Sequence, residues 1–265
     1  MSRYDAIIEK IFFDKHEKDM DVVLFERHEM VNVSAALNIQ LPKNLGDVIY
    51  SYKYRAKLPK SISDTAPEGF EWILKNIGTA KYSFILIESD YARIKPDLML
   101  ATIKILDATP SIVAQYALND EQALLTKLRY NRLIDIFTGA VCYSLQNHLR
   151  TTVPNVGQIE TDEIYVGTDK EGRQYVFPVQ AKGGKDEIGI TQIEQDFLLC
   201  QHKYPKLICR PIAAQFIDGG KIAIFEFCIQ NGKIRKNSEK HYFLVEKDQV
   251  SDEELASYNA SYSVS

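Results

Sequence analysis

Two strand-like segments decide the fold of this chain, GQIETDEI at residues 157–164 and QYVFPVQAK at residues 174–182. The first alternates polar and apolar residues and the second is apolar almost throughout, which predicts two strands joined by a polar turn. Because successive side chains of a strand point to opposite faces, Gln180 and Lys182 share one face of the second strand. A single hairpin can therefore direct both side chains, together with Asp162 of the first strand, into one pocket.

Helices are expected on both sides of this hairpin. Asn119 and Gln122 stand at the N-cap and N3 positions of a capping box, and the amphipathic pattern that follows predicts one long helix ending near Arg150. A second capping box, formed by Thr191 and Glu194, predicts another helix after the hairpin. Further strands are expected at roughly 207–216, 221–229 and 242–245.

This order of helix, strand, turn, strand, helix, strand and strand resembles that of the PD-(D/E)xK nuclease superfamily, which includes type II restriction endonucleases. The resemblance carries the Asp of the family's first motif to Asp162, and the Asp/Glu-x-Lys triplet to Gln180, Ala181 and Lys182. It implies an α/β (α+β) fold in which a mixed β-sheet is flanked by helices. The candidate catalytic residues are Asp162, Gln180, Lys182 and Glu160.

The activity that the resemblance implies is hydrolysis of DNA phosphodiester bonds with Mg²⁺, one ion or two. Carboxylate oxygens hold such an ion, which polarises the phosphate and acidifies a water molecule, while a lysine stabilises the developing charge. The expected ligands are Asp162, Gln180, Glu160 and, as in the family, the backbone carbonyl of Ala181. Gln180 departs from the family pattern, which usually has a carboxylate there. Glu160 shares a strand face with Asp162 and is expected to restore the missing charge.

A solvated hairpin face is the alternative interpretation, because an Asp followed by a Gln-x-Lys triplet arises by chance in many chains. Pro178 also argues against a regular second strand, since proline lacks the amide that donates to a neighbouring strand. Two weaker candidates for DNA contact are Lys185, in the loop after the triplet, and Gln192, near the start of the next helix. A solvated position is the alternative for each. The 5 histidines are scattered and are assigned no chemistry.

Helical periodicity dominates the beginning of the chain. Apolar residues recur at helical spacing from Tyr4 to Phe12, a second helix is expected at 30–37, and a third is expected to begin at Pro42, whose fixed φ suits a first helical position. Two short helices joined by a short turn are typical of a helix-turn-helix, and residues 37–49 resemble a winged-helix module.

The third helix is expected to be the one that reads DNA. Five cations face a single acid between residues 41 and 60, which gives this segment a local positive charge. After it, a short helix is expected at 69–77 and a strand, the place for a wing, at 82–88. A purely structural helical subdomain is the alternative, because such helix pairs are common in all-α packing. The candidate DNA-contacting residues are Lys43, Asn44, Tyr50, Ser51, Lys53, Tyr54 and Arg55.

Composition is that of a folded globular protein, with 45% hydrophobic and 26% charged residues in 265. A formal net charge of -4 excludes a protein that coats nucleic acid indiscriminately. The 4 cysteines are widely spaced, which argues against a zinc site or a disulfide framework and favours buried thiols. No apolar run is long enough for a bilayer and the N-terminus lacks a signal-peptide pattern, so we expect a cytoplasmic protein without membrane contact.

Two domains are therefore expected, a winged-helix-like DNA-binding domain at 1–105 and a nuclease-like domain at 106–265. The favoured function is a sequence-specific, restriction-type endonuclease that cuts double-stranded DNA as a homodimer. One alternative is a DNA-binding regulator whose nuclease-like domain is a catalytically silent dimerisation platform, and another is a structure-specific repair nuclease. The endonuclease and the silent regulator differ in one property, because only the endonuclease must bind Mg²⁺ through Asp162.

Overall fold

A computed structural model describes residues 4–54, 56–116, 120–154, 156–183 and 187–260. The fold is mixed α/β, as the sequence predicts. The helices are α1 Asp5–Phe13, α2 Arg27–Ala36, α3 Gly46–Tyr54, α4 Lys60–Ser63, α5 Ser89–Ala92, α6 Ser111–Tyr116, α7 Glu121–Tyr130, α8 Leu133–Thr138, α9 Ile190–Lys203 and α10 Asp252–Ala260. The strands are β1 Val22–Glu26, β2 Phe70–Gly78, β3 Lys81–Glu88, β4 Arg93–Ile94, β5 Thr102–Leu106, β6 Val141–Val153, β7 Gly157–Thr168, β8 Gln174–Lys182, β9 Ile188–Gly189, β10 Ile208–Cys209, β11 Ile212–Ile217, β12 Lys221–Gln230 and β13 Lys233–Val245.

Contacts divide the chain into two units. The first comprises Met1–Lys95, Leu149–Glu160 and Glu187–Pro205, and the second comprises Pro96–His148, Thr161–Asp186 and Lys206–Ser265. Each unit contains its own core of buried apolar side chains. Among the described residues, no helix is both long and apolar enough to cross a bilayer.

The first unit contains an antiparallel sheet in the order β1-β3-β2, with α1, α2 and α3 contributing to its core. Ile7, Ile8, Ile11 and Phe12 are buried, which confirms the apolar stripe predicted for α1. The short helix expected at 69–77 is wrong, because this segment is strand β2. Trp72 and Leu74 alternate into the core there, so pairing with β3 and burial determine its structure.

The third helix begins at Gly46, so the expected start at Pro42 is wrong. Asn44 explains the later start, because its side-chain oxygen accepts a hydrogen bond from the Gly46 amide at 3.1 Å. Its amide group also donates to Asp47 Oδ1 at 2.8 Å. These local bonds favour a turn before the helix.

The second unit is built on a mixed sheet in the order β5-β13-β12-β11-β8-β7-β6, to which β6 and β7 contribute residues 141–148 and 161–168. Strand β8 pairs antiparallel with β7 and parallel with β11. Helices α7 and α8 bury Leu124, Leu128 and Leu133 in the same core as Phe177 and Ala181. Strand β8 is therefore an interior strand with one face turned toward these helices.

Pro178 is accommodated in this interior strand by a break in its neighbour. Strand β10 pairs with β8 up to Cys209 opposite Val176, and pairing resumes at Ile212 opposite Val179. The interruption at residues 210 and 211 therefore lies beside Pro178. A proline is tolerated where the neighbouring ladder is discontinuous.

The single long helix expected from residue 119 to Arg150 is wrong. The chain takes left-handed conformations at Arg132 (φ 51°) and Gly139 (φ 70°), which end α7, bound α8 and lead into β6. Apolar residues are frequent across this whole segment, so helical periodicity alone did not reveal the change to a strand.

Both capping boxes are also displaced. The N-cap of α7 is Asp120, whose carboxylate accepts from the Ala123 amide at 2.9 Å, while Asn119 lies outside the described residues. Helix α9 begins at Ile190, and Gln192 accepts from the Gly189 amide at 3.2 Å in place of the expected Thr191 and Glu194 pair. Each helix therefore begins close to its predicted position but with a different cap.

Candidate functional site

Asp162 lies beside the Gln-x-Lys triplet in the second unit. Glu163 pairs with Val179 across β7 and β8, so continuation of this antiparallel register sets Asp162 opposite Gln180. Asp162 Oδ2 accepts a hydrogen bond from the backbone amide of Ala181 at 2.8 Å. The carboxylate is thus fixed against the strand that carries the triplet.

Lys182 has an acidic partner that the sequence did not single out. Its Nζ donates to Oε1 of Glu121, the first residue of α7, at 2.6 Å. The side chains of Lys182 and Glu121 are 14% and 36% exposed, so the pair is shielded from solvent but reachable. An ammonium and a carboxylate from another element therefore join Asp162.

Gly183 explains why the end of β8 and the start of α7 meet so closely. A Cβ at this position would lie 3.2 Å from two backbone atoms of Asp120 and 3.3 Å from the amide nitrogen of Glu121. A side chain here would require the two main chains to move apart by a few tenths of an ångström, and glycine allows the close approach without this shift. The approach sets Glu121 next to Lys182.

The electrostatics of the cluster leave Asp162 short of positive charge. Burial raises the pKa of Asp162, and the Ala181 amide and Lys182 lower it without cancelling the rise, to which Glu121 adds. A carboxylate held in this way gains from a further cation. A raised pKa with named charged partners is also typical of functional sites.

His148 stands near this cluster although sequence reasoning assigned it no role. Its ring nitrogen Nε2 lies 3.1 Å from Gln122 Nε2, and the ring is close enough to Asp162 to act on the pKa of that carboxyl, in the lowering direction. The residue has a left-handed backbone, with φ 47°, within strand β6. Such a local deviation has no signature in the residue pattern, which explains why it was missed.

The oxygen atoms of the cluster fit a hard divalent cation in kind. Asp162 and Glu121 carry carboxylates, and Gln180 and Ala181 would add an amide oxygen and a backbone carbonyl, all of them ligand types that Mg²⁺ accepts. Within the described part of the chain, no group of three or more His, Cys, Asp and Glu side chains is arranged to hold a metal. Neutral oxygens would therefore have to complete the coordination.

Glu160, expected to restore the charge missing at Gln180, lies in the first unit. Its Oε2 accepts from Tyr50 Oη at 2.6 Å and from an Arg150 guanidinium nitrogen at 3.1 Å. Its backbone carbonyl accepts from Gln195 Nε2 at 2.9 Å. The acid that the structure sets against Lys182 is Glu121, which the sequence did not predict.

Helix α3, the candidate DNA-reading helix, is less exposed than expected. Of the residues expected to contact DNA, Tyr50, Ser51, Lys53 and Tyr54 are only partly exposed, whereas Lys43 and Asn44 precede the helix and are exposed. The cause is that α3 packs against α9 as well as against β2. Arg55 and Lys185 lie outside the described residues.

The end of α3 is strongly affected by this packing. Burial lowers the pKa of Lys53 to about 8, an effect that Glu194 opposes and Lys75 reinforces. The hydroxyl of Tyr54 is buried, and burial raises the pKa of this group well above its usual range. A lysine in such surroundings carries its charge less readily than a lysine in water does.

No protein-family model and no curated protein matches this chain. The case for a function therefore depends on the residues of the cluster and their geometry.

Proposed function

We propose that this protein is a Mg²⁺-dependent endonuclease that hydrolyses phosphodiester bonds of double-stranded DNA, of the sequence-specific restriction type. The observation that carries the proposal is the meeting of Asp162, Glu121 and Lys182 where β8 ends against the start of α7. The likeness of the Gln180 to Lys182 triplet to the PD-(D/E)xK pattern adds support. Membership of the PD-(D/E)xK superfamily is proposed together with this activity.

Each side chain of the cluster has a task that its geometry suits. The Asp162 carboxylate, fixed by the Ala181 amide, would hold the ion. Lys182, held in place by Glu121, offers its ammonium to the charge that develops on the phosphate oxygens. The ion, when bound, polarises the phosphate and acidifies a water molecule.

DNA recognition in this proposal falls to exposed groups of the first unit. Lys43 and Asn44 are exposed and lie next to the start of α3. The partly buried Tyr50 and Lys53 are weaker candidates, because they already have partners within the unit. A few contacts suffice for specific binding, so the net charge of -4 is compatible with this role.

The first test is cleavage of mixed-sequence duplex DNA by the full chain with Mg²⁺ and with a chelator. We expect discrete fragments with Mg²⁺ alone, and their loss in Lys182→Met, because the ammonium is removed while the volume is nearly kept. Lys95→Met is the matched control, since Lys95 is an exposed lysine whose side chain is 59% accessible. Absence of Mg²⁺-dependent cutting on duplex, single-stranded and branched DNA would contradict the proposal.

The regulator with a silent nuclease-like domain is the second candidate, and one observation favours it. Within the described residues no three ionisable ligands gather, and Gln180 supplies only a neutral oxygen. This candidate predicts DNA binding that is the same with Mg²⁺ and with a chelator. The same preparation therefore separates the two functions, through a binding assay run beside the cleavage assay.

A further inference from the structure

The sheet of the second unit ends in two strands of opposite character. Strand β5 is covered, because its Lys104 amide donates to Tyr258 Oη of α10 at 3.1 Å and the Lys104 ammonium pairs with Glu254 at 2.8 Å. Strand β6, at the other end, exposes three apolar side chains: Val141 (52%), Tyr143 (64%) and Leu145 (52%). Bare sheet edges usually carry charges or proline against unwanted pairing, and residues 141–147 contain neither.

The backbone of β6 offers hydrogen-bonding groups on its outer side. The Cys142 amide donates to Asp135 Oδ1 at 2.9 Å, so this amide points away from β7. Alternation along an antiparallel strand then turns the main-chain groups of Ser144 and Gln146 outward as well. In the part of the chain that the structure describes, no strand other than β7 adjoins β6 in the sheet.

We propose that β6 pairs antiparallel with β6 of a second copy of the chain, about a two-fold axis at Leu145. Ser144 of each copy then exchanges backbone hydrogen bonds with Gln146 of the other, and Cys142, already bonded to Asp135, is left out. Leu145 packs against its own symmetry mate, with Tyr143 diagonal to it. The partner is a second copy because this uncharged segment complements itself in antiparallel pairing without setting like charges opposite each other.

The pairing has a consequence that rests on the proposed function. Strand β6 lies next to β7, and Ser144 Oγ of β6 donates to Glu163, so the proposed seam runs alongside the part of β7 that carries Asp162. A two-fold axis normal to the sheet puts the same face of both copies on one side. Across the strands, the two Asp162 residues are then separated by three strand spacings, about 14 Å. Two reaction centres would open toward one duplex, which suits cutting of both strands.

The test measures the mass of the full chain by sedimentation over a range of concentrations, without DNA or metal. We expect the parent to form a dimer in a concentration-dependent way. Leu145→Lys and Leu145→Glu, each measured alone, should be monomers, because like charges would then meet at the two-fold axis. An equal mixture of the two variants should recover the dimer. Leu106→Lys is the matched control, since Leu106 is 55% exposed on the covered edge β5, and should remain dimeric.

A parent that is monomeric at every concentration, or an unchanged dimer in Leu145→Lys, would overturn the proposal. A mixture that stays monomeric would overturn the axis at Leu145. Circular dichroism of each variant verifies that it is folded. Because no DNA is present, failure of this proposal is distinguishable from failure of the cleavage assay.

Discussion

Asp162 and Glu163 are neighbours on β7, yet they meet opposite surroundings because they point to opposite faces. Glu163 is fully buried, and its Oε1 accepts from Arg129 at 3.0 Å and from Ser144. Asp162 is partly exposed, and the ammonium near it, Lys182, is already bonded to Glu121. Glu163 has a cation of its own, whereas Asp162 shares one. Glu163 is therefore committed to an ion pair in the core, whereas the charge of Asp162 is only partly balanced.

The largest expected effect is on the activity of Asp162→Asn. Loss of the carboxylate removes the anionic ligand, and we expect cleavage to fall about 1000-fold. The melting temperature should not fall, because burial and Glu121 make the ionised form of Asp162 unfavourable. Cleavage rates and thermal melts of the same preparation check both parts. If Asp162→Asn retains cleavage, Asp162 is not part of the reaction centre.

Glu163→Ala should show the reverse pattern, with a loss of stability. The change leaves Arg129 without its partner, and we expect the free energy of unfolding to drop by about 2 kcal/mol, less than for a fully buried pair because Arg129 is 40% exposed. Urea denaturation measures the drop. Glu171→Ala, in an exposed turn, is the control and should change little. A drop no larger than that of Glu171→Ala would show that the ion pair between Glu163 and Arg129 does not stabilise the fold.

The smallest expected effect is the pH dependence of stability. Since the pKa of Asp162 is raised by folding, the folded state binds this proton more tightly than the unfolded state, and ionisation of Asp162 costs stability as pH rises through the raised pKa. Between about pH 4 and about pH 8, the parent should lose stability relative to Asp162→Asn. Melting curves of both proteins across this range measure the difference. If the parent instead gains stability relative to Asp162→Asn as pH rises, the pKa shift of Asp162 has the opposite sign.

Much of the fold near the site followed from the residue pattern. Strands β7 and β8 and helix α9 were predicted near their observed bounds, because alternation and helical periodicity are local properties. The errors at β2 and β6 have one physical cause. Apolar residues in those segments are compatible with helix and strand, and the partner that decides between them is distant in sequence.

The candidate site divides in the same way. The relation of Asp162 to Gln180 and Lys182 could be predicted, because it depends only on strand alternation and antiparallel pairing. Glu121 and His148 could not be predicted, since the first depends on the approach of α7 to β8 and the second on a left-handed residue in β6. An acid in the first turn of a helix is also ordinary, because the helix dipole favours it there.

Gly183 affects the cluster because it has no side chain, which lets the end of β8 lie close to the start of α7. Two stretches of main chain are in direct contact at this point, and Lys182 and Glu121 extend from them. A side chain at position 183 should therefore force these two stretches apart by a few tenths of an ångström, although the residue itself has no group for chemistry.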